Sequence, residues 1–118
     1  MMDKRAELDA VAAALTAGGV AAEIDPRNVN PPAAWVHLGP WEYDRLSGDC
    51  LSAQLIVDLI APDQGTYAAL ATLDDLETGT VVALGPPSGQ VLATTLTLPD
   101  SSAVLPCYRL TYDVEMSP

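Results

Sequence analysis

Phenylalanine is absent from this chain, histidine occurs once, as His37, cysteine occurs twice, as Cys50 and Cys107, and five cations face sixteen acids. Each scarcity excludes something. One histidine and two cysteines far apart in sequence cannot make a multi-histidine metal site, a four-thiolate zinc site or a disulfide framework, so both cysteines are expected as buried, reduced side chains. The cations Lys4, Arg5, Arg27, Arg45 and Arg109 leave a formal charge of -11. They form no basic cluster able to release counterions from phosphate, which argues against tight nucleic-acid binding. No run of about 18 apolar residues offers a bilayer span. The N-terminus enters an amphipathic pattern instead of a signal-peptide stretch, so a cytosolic setting without membrane contact is expected.

What is present is material for one core. Residues 1–118 fit a single domain, and 49% of them are hydrophobic, carried mostly by Ala, Leu and Val. Asp3 is placed to cap a helix from Lys4 to Ala17, in which Leu8, Val11, Ala12 and Leu15 recur at helical spacing before Gly18-Gly19 stops it. Val20–Ile24 alternates as a short strand. Asp25–Pro32 is a loop with three prolines, and Ala33–Leu38 resumes a strand with Trp35 and His37 on one face. Gly39–Asp49 is rich in turn formers and predicts an extended hairpin connection.

Cys50–Ala61 is the clearest strand. Leu51, Ala53, Leu55, Val57 and Leu59 share one face, Ser52, Gln54 and Asp58 the other, and Ile56 and Ile60 on that second face suggest partial cover there too. After Pro62, Asp63 or Thr66 is placed to cap a second helix with an apolar stripe of Ala69, Leu70, Leu73 and Leu76, ending at Gly79. Val81–Leu84 and Val91–Leu98 predict strands joined by a Gly-Pro-Pro-Ser-Gly turn, and Leu92, Leu96 and Leu98 favour one face. In the closing strand, about Val104–Glu115, Tyr108, Leu110, Tyr112 and Val114 alternate with Arg109, Thr111, Asp113 and Glu115. This order predicts an α+β domain, with a mostly antiparallel sheet of about five to six strands and two helices packed on one face.

Chemistry is sparse. His37 lies in a strand and no Gly-x-Ser-x-Gly elbow accompanies it, so it reads as an ordinary strand side chain, and no residue is assigned a catalytic role. Asp74, Asp75 and Glu77 cluster on the second helix, where a solvated outer face explains them more simply than a divalent-cation site. Gly85 and Gly89 bracket two prolines before a strand, unlike a phosphate loop that opens a helix. No cofactor or metal is expected. Large interface-type residues instead stand in predicted loops: Arg27 in the first, and Trp41, Tyr43 and Arg45 in the second.

Five segments in order carry a resemblance: Gly18-Gly19-Val20 closing an amphipathic helix, Asn30-Pro31-Pro32-Ala33-Ala34-Trp35-Val36, Leu55-Ile56-Val57-Asp58-Leu59-Ile60, Leu70 with Leu73-Asp74-Asp75-Leu76, and Leu105-Pro106-Cys107-Tyr108-Arg109-Leu110-Thr111-Tyr112-Asp113-Val114. Their order and spacing, over almost the whole chain, resemble the tail terminator (tail-completion) proteins of long non-contractile-tailed bacteriophages, especially those infecting actinobacteria.

The resemblance implies a structural virion protein, not an enzyme. Such a protein assembles in the host cytoplasm as a homo-oligomeric, hexameric ring on the head-proximal end of the tail tube. It stops tube polymerisation and forms the surface that joins the head. Its partners would be copies of itself, the tail tube protein and a head-side connector or head-completion protein, with DNA passing through the lumen unbound. Six copies at -11 each would carry -66, so acids facing the lumen, with Asp74, Asp75 and Glu77 as candidates, would let DNA slide past. A head-completion or connector protein is the neighbouring alternative; a small binding domain or enzyme with a pocket between sheet and helices is a more distant one.

Overall fold

A computed structural model describes residues 3–43, 50–99 and 103–116. Helix α1 (Lys4–Ala17) leads to strand β1 (Ala22–Glu23), a 3-10 turn (Pro26–Asn28), β2 (Ala33–Tyr43), β3 (Leu51–Ile60), α2 (Thr66–Leu84), β4 (Leu92–Leu96) and β5 (Leu105–Met116). The strands form one sheet in the order β1-β2-β3-β5-β4. Only β1 and β2 run parallel; every other neighbouring pair is antiparallel. The expected α+β architecture, with two helices on one face of the sheet, is the observed one.

Alternation assigns the faces. Ala34 and Val36 of β2, Leu55, Val57 and Leu59 of β3, and Leu110 and Tyr112 of β5 point to the helical layer, where they meet Leu15 of α1 and Ala69 and Leu73 of α2. Burying each such Leu or Val stabilises the fold by about 1.5–3 kcal/mol before chain entropy is counted. A smaller cluster on the opposite face, Val29, Ala33, Ile60, Leu98, Leu105 and Cys107, is covered by loops. Asp3 caps α1 as expected, its Oδ1 accepting from the Ala6 N–H at 3.1 Å.

Four expectations are corrected. Helix α2 does not end at Gly79 but continues through Val81–Leu84, so the strand expected there is absent. Its N-cap is Gly65, and neither Asp63 nor Thr66 supplies a cap hydrogen bond. The strand expected over Val20–Ile24 shrinks to Ala22–Glu23, because Val20 is drawn into the core beneath α2. Val91–Leu98 shortens to Leu92–Leu96 at the sheet edge, where Leu92 is 55% exposed.

The reason Gly79 stands inside a helix is contact, not termination. A Cβ there would lie 2.7 Å from Cγ2 of Val20, itself only 3% exposed. The missing side chain lets the chain entering β1 pass close under α2.

Gly79→Ala is therefore expected to destabilise the protein. The gain in helix propensity, about 1 kcal/mol, is outweighed by overpacking of about 1–3 kcal/mol. A lowered midpoint in thermal or urea unfolding checks this, and a raised midpoint contradicts the packing assignment.

Candidate functional site

Polar residues converge on the sheet face that the helices leave open. The register sets Trp35, Asp58 and Arg109 in one row across β2, β3 and β5, with His37 and Cys107 one step away on either side. Asp58 is fully buried, while the side chains of His37 and Arg109 are 20% and 36% exposed. A lone carboxylate inside Leu-Ile-Val-Asp-Leu-Ile would be strongly unfavourable without partners. It has four.

Asp58 Oδ1 accepts from Arg109 Nε at 2.8 Å and from the Cys107 thiol at 3.6 Å. Oδ2 accepts from His37 Nε2 at 2.7 Å and Arg109 Nη2 at 3.2 Å. These contacts use the acceptor capacity of the carboxylate. The Trp35 ring stacks on His37 with centroids 3.8 Å apart, and its indole N–H donates to the Ile24 carbonyl at 3.3 Å. Trp35 thereby fixes the imidazole plane and ties β2 back to the loop after β1.

Electrostatics follow from this packing. Burial pushes the Asp58 pKa up, but hydrogen bonds from His37 and Arg109 outweigh it and hold the carboxyl below its ordinary value of 3.8. The same carboxylate raises the Arg109 pKa. Burial, reinforced by the Asp58 charge, pushes the Cys107 thiol up to about 12. A thiol so placed is neither a nucleophile nor a metal ligand near neutrality. His37 spends Nε2 on Asp58, and among the described residues no serine, threonine or cysteine is hydrogen-bonded to its other nitrogen. The cluster holds three strands together; it is not assembled as a nucleophilic triad.

The residues singled out from the sequence lie elsewhere. Arg27 folds back on Asp25, with Nε–Oδ1 and Nη2–Oδ2 contacts of 3.2 and 3.0 Å. Its hydrogen bond holds Asp25 below the usual carboxylate range. Trp41 and Tyr43 are not in a loop: β2 runs through Tyr43, so both are strand residues. A bulge between Leu38 and Trp41 inserts one extra residue and turns Trp41 and Tyr43 to the face that carries Leu38. Gly39 admits this bend, since a Cβ there would meet Ile56 Cδ1 at 2.9 Å. Trp41 and Tyr43 are 44% and 57% exposed, and Lys4 Nζ lies 4.9 Å from the Trp41 ring centroid. Arg45 lies outside the described residues.

β1 runs parallel to β2 in the register Ala22–Ala34 and Glu23–Trp35, so the turn that follows with Arg27 continues beside β2; there Arg27 shares a groove with Arg5 and Asp9 of α1, the helix whose Lys4 reaches the Trp41 ring. Asp74 and Asp75 are exposed on α2 and Glu77 is half-buried. Asp74 Oδ1 accepts from the Tyr108 hydroxyl at 3.2 Å, which ties α2 to β5. Of the two cysteines, Cys107 is buried as expected and Cys50 is half-buried; both are free thiols.

The His37–Asp58–Arg109 network was not foreseen from the sequence. Its only signal was one charged residue at a polar alternation position inside an otherwise apolar strand, which requires partners without naming them. No protein-family model matches the sequence, and no curated protein matches it.

Because the folded pKa of Asp58 is depressed, the network contributes stability above pH 3.8 and loses it as pH falls through the folded value. Asp58→Asn should cost about 3 kcal/mol at pH 7, the low end for breaking a buried pair because Arg109 is partly exposed. It should also flatten the loss of stability in acid. Urea midpoints of both proteins from pH 7 to pH 2.5 check this, and parallel profiles would contradict it.

A thiol reagent at pH 8 should titrate Cys50 in the native protein and reach Cys107 only after denaturant is added. Equal native rates would overturn the assignment of Cys107.

Proposed function

We propose that this chain is a structural subunit of a long phage tail, a terminator that closes the head-proximal end of the tail tube as a homo-oligomeric ring and presents the head-joining surface. The observation that carries this reading is the exposed aromatic pair Trp41 and Tyr43, which the bulge in β2 sets on the helical side of the sheet without burying it. The 3-10 turn bearing Arg27 is a second patch, across the first turns of α1 from that pair: Arg27 shares a groove with Arg5, and Lys4 reaches the Trp41 ring. Closed rings with one kind of contact are heterologous: one patch of each subunit meets a different patch of its neighbour. Aromatic and arginine side chains are the types that dominate such contacts, because they bury large area with few rotors.

Charge supports the same reading. A -11 subunit repeated around a channel makes a strongly acidic ring that repels DNA instead of holding it. Asp74, Asp75 and Glu77 are the candidates for the channel face. Of the three, Asp74 is anchored by Tyr108.

The test is genetic and structural together. Electron microscopy of particles from phage lacking this protein is expected to show overlong tails without heads. Filled heads that leak DNA would instead favour a head-completion role. Complementation with Trp41→Ala/Tyr43→Ala protein, folded by circular dichroism, should restore tail length and titre at least tenfold less well than wild type. Full complementation would remove these two residues from the interface.

A further inference from the structure

We propose that β4 is a docking edge for a second copy of this chain, paired with its own counterpart antiparallel about a twofold axis at Thr94. The sheet ends at β4, whose inner side is satisfied by β5 in the register Leu92–Arg109 through Leu96–Leu105. Edges left open normally carry a charge, a proline or a bulge that discourages pairing. At the other side of the sheet, β2 has such protection beyond the short β1: a bulge between Leu38 and Trp41 containing Gly39-Pro40. The five residues of β4, Leu-Ala-Thr-Thr-Leu, have none of these devices.

Two arguments commit the edge to a second copy. The first is charge. Copies of a -11 chain repel one another, but residues 78–99 contain no Asp, Glu, Lys or Arg, and β4 lies inside that run. Beside the strand stand one acid, Asp63 on the wall of the adjoining groove, and one cation, Arg109 opposite Leu92, so two copies approach here with little net repulsion.

The second is register. A twofold axis relating two antiparallel edge strands stands perpendicular to the sheet, so it keeps each face on its own side. Opposed residues must share a face, which allows only registers centred on a residue. Centring on Thr94 uses the whole strand. It sets Leu92 opposite Leu96 of the second copy, Thr94 opposite Thr94 and Ala93 opposite Thr95. Aliphatic and threonine cross-strand pairs of this kind are favourable.

The margin around β4 is apolar as well. Leu92 and Val104 are 55% and 60% exposed. A groove of about 250 Å³ opens between the start of α2 and the β4–β5 hairpin, lined in part by Leu70, Thr95, Val104 and Pro106. Both copies would place α2 on the same side of the joined sheet, so Leu70, 45% exposed, would come under cover at the seam.

Sedimentation equilibrium of the purified chain tests this independently of the tail reading. The mass should rise from 12.3 kDa towards twice that value between about 10 μM and about 1 mM, the range for small, weak interfaces. Ala93→Glu/Thr95→Glu places carboxylates opposite carboxylates and should shift dimerisation at least tenfold higher in concentration. Mixing it with Ala93→Lys/Thr95→Lys should restore a dimer at or below the wild-type concentration. Thr94→Cys in a Cys50→Ser background should give a covalent dimer on mild oxidation.

A mass that stays monomeric throughout, no Thr94→Cys cross-link, or association unchanged by the Glu pair would each overturn the proposal. A hexamer that persists in the Glu variant would overturn it while supporting the ring.

Discussion

The parity of β3 governs the structure. This strand lies between β2 and β5 and pairs with each along its full length, so its two-residue period dictates which side chains the helices cover. Leu55, Val57 and Leu59 enter the core under α1 and α2, while Asp58 goes to the other face. A slip of one residue would place a carboxylate beneath the helices and Leu, Val and Leu outside. Asp58 adds a second lock, because its oxygens are satisfied only when His37 and Arg109 arrive from the two neighbouring strands together. Hydrophobic burial supplies most of the stabilisation; the ion-pair network makes the register specific.

Two local departures from regularity shape what this frame presents outward. The bulge between Leu38 and Trp41 reverses the side-chain parity of β2 partway along its length. Without it Trp41 and Tyr43 would share the open face with Trp35 and His37; with it they lie on the helical side, near the start of α1, where Lys4 approaches the Trp41 ring. Gly79 does the equivalent for α2, giving up a side chain so that Val20 can pack beneath the helix. In both places a small residue is explained by what lies against it.

These features separate the molecule into regions of different character. The helical layer and the sheet beneath it are the folded body. The open face carries a satisfied polar network whose partners are all internal, and its thiol is held protonated. Exposed side chains are peripheral: Trp41 and Tyr43 at the end of β2, Arg27 beside the first turns of α1, and the margin of β4. These peripheral side chains are what the proposed reading as a subunit of an assembly rests on.

Much of the fold was legible in the sequence because one-dimensional period maps directly onto burial when one face is covered. The span of α1, its Asp3 cap, the two faces of β3 and the alternation of β5 all follow from that mapping. The short cation supply and the charge of -11 were likewise matters of composition. Tertiary structure decided what depends on distant neighbours. Val81–Leu84 has β-branched residues that suit a strand, yet it continues a helix because its turn of chain lies over α1 and the sheet. Trp41 and Tyr43 follow a Gly-Pro pair that signals a turn, yet they extend β2 because β3 supplies a paired edge beside them. His37, Asp58 and Arg109 are dispersed along the chain, and no local pattern relates them; only the β2-β3-β5 order brings their charges within hydrogen-bonding distance.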